Sequence, residues 1–208
     1  MMITTYGEHK PRIDPQAWIA PDATVCGDVT IGAGARIMHG ARVVAEAGGS
    51  IRIGRNCIVL ENAVIRATSR HPCTIGDHCL IGPNCHVVGA EIGDEVFVAT
   101  GAAIFHGAVI GKGAEVRING TVHLRSRIEA GATVPIGWIA VGDPAEILPP
   151  DRHEAIWALQ KPLDFPGFVY GLDRETPDLM QVLTAGLSER LSVHRAEERV
   201  AEVVSADD

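Results

Sequence analysis

Aromatic residues are scarce in this sequence: Phe, Trp and Tyr together make up 4% of 208 residues, although 46% are hydrophobic. A core of that kind must be built from Val, Ile, Leu and Ala. With 23 glycines spread along the chain, it fits neither a helical bundle nor an immunoglobulin-like sandwich. Positive charge is also short. The formal net charge is −8 and no basic cluster stands out, so nucleic acid and anionic membrane are not expected partners. No window approaches the roughly 18 consecutive apolar residues of a membrane span. Residues Met1 to Arg12 are polar and carry no apolar signal core. A cytoplasmic protein is expected. Five cysteines, an odd number without paired spacing, read as reduced thiols rather than a disulfide framework.

What the sequence does have is a repeat. An aliphatic residue recurs every six positions, from Ile19, Val25, Ile31, Ile37 and Val43 through Ile53, Val59 and Ile65 to Ile75, Ile81 and Val87. It continues from Ile92 and Val98 through Val122, Ile128 and Val134 to Ile139. Glycine often follows it (Ile31-Gly32, Ile53-Gly54, Ile81-Gly82), and a small residue stands four places on, as at Ala35, Cys57, Ala63, Cys79 and Cys85. A period of six matches neither the 3.6 of a helix nor the alternation of a hairpin meander. It fits a triangular coil with three short strands per turn, each placing one large and one small side chain inward. Six to seven coils are expected between residues 19 and 148, after an N-terminal arm at 1–18. Cys57, Cys79 and Cys85 fall at the small inward position, as core plugs. Asp28, Asp77 and Asp94 fall at corners, where a carboxylate can accept backbone N–H groups.

The period breaks twice. Val43 to Ile53 and Ile65 to Ile75 are each ten apart, so the segments 45–50 and 67–73 should protrude at corners, where function often sits. After Asp143-Pro144 the pattern stops. The remainder, 149–208, reads as a helical tail. Asp151 is placed to cap a short helix carrying Ile156, Trp157 and Leu159. An extended apolar arm is expected from Leu163 to Thr176. From Pro177 to Val204 an amphipathic helix follows, with Leu183, Leu187, Leu191, Val200 and Val203 along one face. His153 and His194 are expected to be solvated there.

The run Val25-Cys26-Gly27-Asp28-Val29-Thr30-Ile31-Gly32, the two insertions, and Gly142-Asp143-Pro144 closing the coil resemble the γ-class carbonic anhydrases of the hexapeptide-repeat transferase superfamily. The segment from His39 to Gly48 is also similar to the small hexapeptide-repeat subunits of dynactin. The resemblance implies an all-β core, a left-handed parallel β-helix with C-terminal α-helices, working as a homotrimer. Sequence physics gives the coil, and the resemblance gives its hand, since right-handed crossovers are the general rule. The resemblance also implies a zinc ion between subunits, on three histidines. Those positions hold Arg66, Pro83 and Val88, none of which binds zinc, so no metal and no standard carbonic anhydrase chemistry is expected.

By phase, Arg66, Val88, Phe105 and His123 form one column. Glu61/Asn62, Pro83/Asn84, Thr100/Gly101 and Ile118/Asn119 form the facing column across the subunit boundary of a family-like trimer. The expected cleft carries His123 as first choice of general base, His106 as second, and Glu61 as a further catalytic group. Arg66 would hold a small anionic substrate by a paired hydrogen bond, with Asn62, Asn84, Asn119, His86 and His71 around it. Acyltransferases of the superfamily use a histidine in this way, with acyl-CoA along the coil. No cofactor is otherwise indicated. Three further readings stay open: Arg66 pairing with Glu61 as trimer glue, a non-catalytic scaffold, and a relocated metal site on His86, His106 and His123.

Overall fold

The computed structural model describes residues 2–46, 48–196, 198 and 200. The six-residue period becomes a left-handed parallel β-helix of about eight turns, with its strands in three sheets. The first sheet stacks Met2–Thr4, Thr24–Cys26, Arg42–Ala45, Val64–Ala67, His86–Val88, Ala103–Ile104, Thr121–Val122 and Ile139–Val141, and ends on an antiparallel strand, Glu146–Leu148. The second runs from Arg12–Ile13 to Arg127–Ile128 and the third from Trp18–Ile19 to Thr133–Val134. Register is set by phase: Ile65 pairs with Val87, Val87 with Ile104 and Ile104 with Val122. Every rung therefore repeats the inward set.

That inward set is the core. Ile31, Ile37, Val43, Val59, Ile65, Ile81 and Ile104 are completely buried. Each such side chain contributes about 1.5–3 kcal/mol against exposure. Cys57, Cys79 and Cys85 fill the small positions, and their thiols donate to the carbonyls of Gly76, Gly93 and Ala99 at 2.9, 3.0 and 2.9 Å. All five cysteines are free and buried. At one corner the amide of Arg55 donates to the Asp77 carboxylate (2.7 Å) and that of Asp77 to Asp94 (2.8 Å). These bonds are the corner role expected of those aspartates.

Five features differ from the sequence expectation. The coil begins at Met2, because Met2–Thr4 pairs with Thr24–Cys26 and Arg12–Ile13 with Val29–Ile31. Residues expected to form an arm are thus the first turn, which is why there are about eight turns rather than six to seven. The last inward residue is Ala140, opposite Val122, and Ile139 points away. The helix α1 (His153–Gln160) is preceded by Arg152, with no side-chain cap, so Asp151 does not cap it. The expected extended arm instead holds a short turn at Lys161–Leu163 and a five-residue helical turn at Pro166–Tyr170. The amphipathic helix is shorter than expected. The helix α2 spans Leu179–Leu191, with a turn at Ser192–Ala196 after it, and Val203 lies outside the described residues.

The path of this tail positions the site. It runs back down the solenoid, touching it in reverse order. Gln160 meets His123, Phe168 packs at Gly107, Gly171 lies against Arg70, and the Arg190 carbonyl accepts from Tyr6. The ring of His194 stands edge-on to Tyr6 at 4.7 Å, so that histidine is not solvated as expected. The amide of Val200 then donates to Ile3 and that of Thr5 to Glu198, both at 2.9 Å.

Candidate active site

Both insertions leave the same corner, between the first and second sheets. The first stacks on the second: the Glu46 amide donates to Ala67 (3.0 Å), and a side chain at Gly49 would meet the Thr68 backbone. The second closes on itself through reciprocal Thr68 and His71 backbone bonds, each 3.0 Å. Between these loops, the outer surface of the first sheet and the tail lies a cavity of about 490 Å³, within the usual range for small-molecule sites. Its floor is Arg66, Val88 and Phe105, with His86 beside them and His106 at the corner. Glu46, Thr68, Ser69 and Arg70 come from the insertions, and Tyr6 from the first turn. Its roof is Phe165, Val169 and Tyr170, with Leu187, Arg190 and Val193 of the α2 region.

Charge in the cavity is one-sided. Three arginines face a single carboxylate, and Arg66 is ion-paired with that carboxylate, Glu46. Within one chain, then, the partner of Arg66 is Glu46 of the first insertion rather than Glu61. The histidines add little positive charge. Burial pushes the His106 imidazole down to about 4, with the neighbouring His71, His86 and Arg66 charges acting in the same direction. His86 is lowered by burial and then by Arg66. A buried imidazole loses hydration that its charged form needs, so it stays neutral at neutral pH. Nδ1 of His106 is buried and has no hydrogen-bond partner among the described residues.

His106 is held from behind. The His71 ring stands edge-on to it, with centroids 5.0 Å apart. His71 in turn is fixed by Nε2, 3.1 Å from the Phe168 carbonyl, and by the Phe168 ring at 4.6 Å. The Arg125 guanidinium lies over the other partner of this stack, 5.2 Å from the Phe168 ring. Gly89, at φ +55°, makes room for it all, since a Cβ there would collide with the His71 Cβ.

The structure thus brings Arg66, His86, His106 and His71 together and leaves the other expected residues apart. His123, the first choice of base, does not line the cavity. Its Nε2 contacts Gln160 of α1, and Phe105 stands between it and His86, with ring centroids 6.2 and 6.3 Å away respectively. Burial lowers the His123 imidazole too. Asn62, Asn84 and Asn119 sit at the preceding corner in the left-handed backbone region, at φ 58°, 56° and 54°. Asparagine tolerates that conformation, which gives them a turn role, and Glu61 lies in the same ladder, its carbonyl accepting from Asn84 at 3.0 Å. None of these four lines the cavity. Among the described residues no three His, Cys, Asp or Glu side chains are grouped to hold a metal ion. Sequence reasoning did not bring Glu46, Arg70, Tyr6 and Arg190 into the site. Glu46 and Arg70 had a signal, being charged residues within the insertions. Tyr6 and Arg190 had none, because only the return path of the tail joins them.

Residues 72–106 match the sequence family described as the hexapeptide repeat of succinyl-transferase. A search of curated protein sequences finds no match. Among solved structures, the chain is similar to a Bacillus cereus protein provisionally described as an acetyltransferase, with 20% identity over 90% of this chain and 96% of that one, TM-score 0.52. It is also similar to a hexapeptide transferase family protein of Anaplasma phagocytophilum (26% identity, 77% and 92% covered, TM-score 0.48). A third is a UDP-N-acetylglucosamine acyltransferase of Francisella novicida (15% identity, 88% and 87% covered, TM-score 0.46). The first of these likenesses establishes the hexapeptide-repeat fold; the others carry nothing further. No described helix is long and apolar enough to cross a membrane.

Proposed function

We propose that this is a homotrimeric, cytoplasmic hexapeptide-repeat protein that carries out acyltransferase-type chemistry on a small anionic substrate, and that it lacks the zinc chemistry of the γ-class carbonic anhydrases it resembles. The observation that carries the reading is the joint presence of Arg66 and a buried neutral His106 in one arginine-rich cavity. Supporting it are the family match over residues 72–106 and a fold shared with transferase-described proteins. Arg66 binds the anionic group. A neutral imidazole accepts the proton of an acceptor hydroxyl or amine as that atom attacks a thioester carbonyl. The thiolate leaves, and the imidazolium returns the proton to it. Because burial depresses its basicity, His106 releases that proton readily and is a modest base. His106 therefore takes the role first given to His123, on geometry.

Thermal melts with and without phosphate, small carboxylates and acetyl-CoA test the reading on wild type and on Arg66→Met. Ligands should raise the wild-type melting temperature and leave the variant unmoved. If no anion shifts the wild type, or both proteins shift alike, the enzyme reading falls and a scaffold remains. Light scattering should report three chains. Protein loaded with zinc, iron or cobalt should hydrate carbon dioxide no faster than buffer does.

A further inference from the structure

The floor of the cavity changes character along its length. Arg66 is in register with Val88, and Val87 with Ile104, so Phe105 stands one rung beyond Val88. Rungs are about 4.8 Å apart, which puts roughly 10 Å between the strand positions of Arg66 and Phe105. At the Arg66 end sit Glu46 of the preceding rung and, on the roof side, Arg190, whose carbonyl accepts from Tyr6 of the first turn. At the other end the floor is Val88 and Phe105, apolar except for the neutral His86 ring 6.3 Å from that of Phe105. The roof offers Phe165, which is 40% exposed and edge-on to Tyr170 at 5.6 Å.

We propose that the cavity takes an amphipathic carboxylate, its head at Arg66 and an apolar, preferably aromatic body lying over Val88 and Phe105. This specifies the anionic substrate and rests on the reading given above. A bare phosphate or acetate would engage only the cationic end and leave the apolar floor wet. A body two rungs long removes that surface from water, which is the larger share of affinity for a small ligand. Aromatic rings also pair edge-on with the rings already there. The planar carboxylate matches the guanidinium fork, which Glu46 occupies in the free protein, so the incoming head exchanges with one carboxylate rather than adding to it.

Calorimetric titration tests this with acetate, inorganic phosphate, hexanoate, 3-phenylpropionate and the uncharged 3-phenylpropionamide, on wild type, Arg66→Met and Phe105→Ala. For wild type, 3-phenylpropionate should bind at least tenfold more tightly than acetate, with hexanoate between them. The amide should lose most of that affinity, and so should the acid on Arg66→Met. Phe105→Ala should bring 3-phenylpropionate towards the acetate level; because Phe105 points away from the coil interior, its ligand-free melt reports whether the solenoid is intact. If acetate and phosphate bind as tightly as 3-phenylpropionate and all depend on Arg66, the inference is overturned while the anion site stands. Equal binding of amide and acid overturns the head assignment. Binding of no anion overturns the underlying reading and this one with it.

Discussion

The ring of His71 stands edge-on to that of His106, centroids 5.0 Å apart and planes at 69°, and this contact joins the second insertion to the candidate base. The contact exists only because position 89, on the neighbouring turn, has no side chain. Gly89→Ala should therefore displace the loop. A left-handed backbone costs an ordinary residue about 1–2 kcal/mol, and the collision with the His71 Cβ adds to it. A lower denaturation midpoint together with weakened anion binding is expected; an unchanged midpoint would show that the loop yields freely.

Acid should destabilise the fold through His106. Its folded-state value lies near 4, against about 6.5 when unfolded. Between those values the unfolded chain binds more protons, so stability falls as the pH drops from about 6.5 and levels off below about 4. Above about 6.5 both states are neutral and the term is flat. The full effect is about 3 kcal/mol at most. His106→Gln should reduce the slope in urea melts across that window. The lowered His86 and His123 imidazoles act in the same direction, so some slope should persist.

Phe168 anchors the tail, wedged between His71, Arg125 and the bare backbone of Gly107. Phe168→Ala should cost about 1–3 kcal/mol, less than a core phenylalanine, because the ring is only half-buried. The loss should be local. Amide exchange is expected to rise over residues 161–191 and at His71, with the inner strands still protected. Uniform acceleration would mean that tail and coil unfold as one unit.

All five thiols are buried, so a thiol reagent should label none of them until the protein is denatured, and then all five. Cys79→Ser keeps a donor for the Gly93 carbonyl, now 3.0 Å from Sγ. It should cost about 1–2 kcal/mol, the penalty of a hydroxyl in an apolar coil offset by that bond. Ligand binding by the folded fraction should not change.

The coil was legible because its inward positions repeat strictly, and one further signal was there to read. Ile3 and Ile13 are ten apart, the same spacing as at both insertions, and they begin the first turn that the polar segment between them disguised. The corner position of the insertions was legible too. The site was legible only in part. Phase arithmetic gave the Arg66–Val88–Phe105 column, because register fixes which side chains share a surface. It could not tell which edge of that surface is covered, and it set the column against the preceding corner. The cover is the tail, whose course depends on contacts such as Gln160 to His123 and Phe168 to Gly107. Neither has a periodicity. The extended arm was misjudged for a related reason: Pro162 and Pro166 fall at the second and first residues of short helical turns, where proline is tolerated.

The first sheet is finished at both ends. Glu146–Leu148 turns back antiparallel on the last rung, and the backbones of Glu198 and Val200 bond to Thr5 and Ile3 of the first. A stack of parallel strands otherwise presents unpaired amides and carbonyls at each end, on which another molecule could add its own rung. This sheet is thereby closed to growth in both directions. Shortening the chain before Glu198 would reopen one end, and the product to look for is a fibre of solenoids joined end to end.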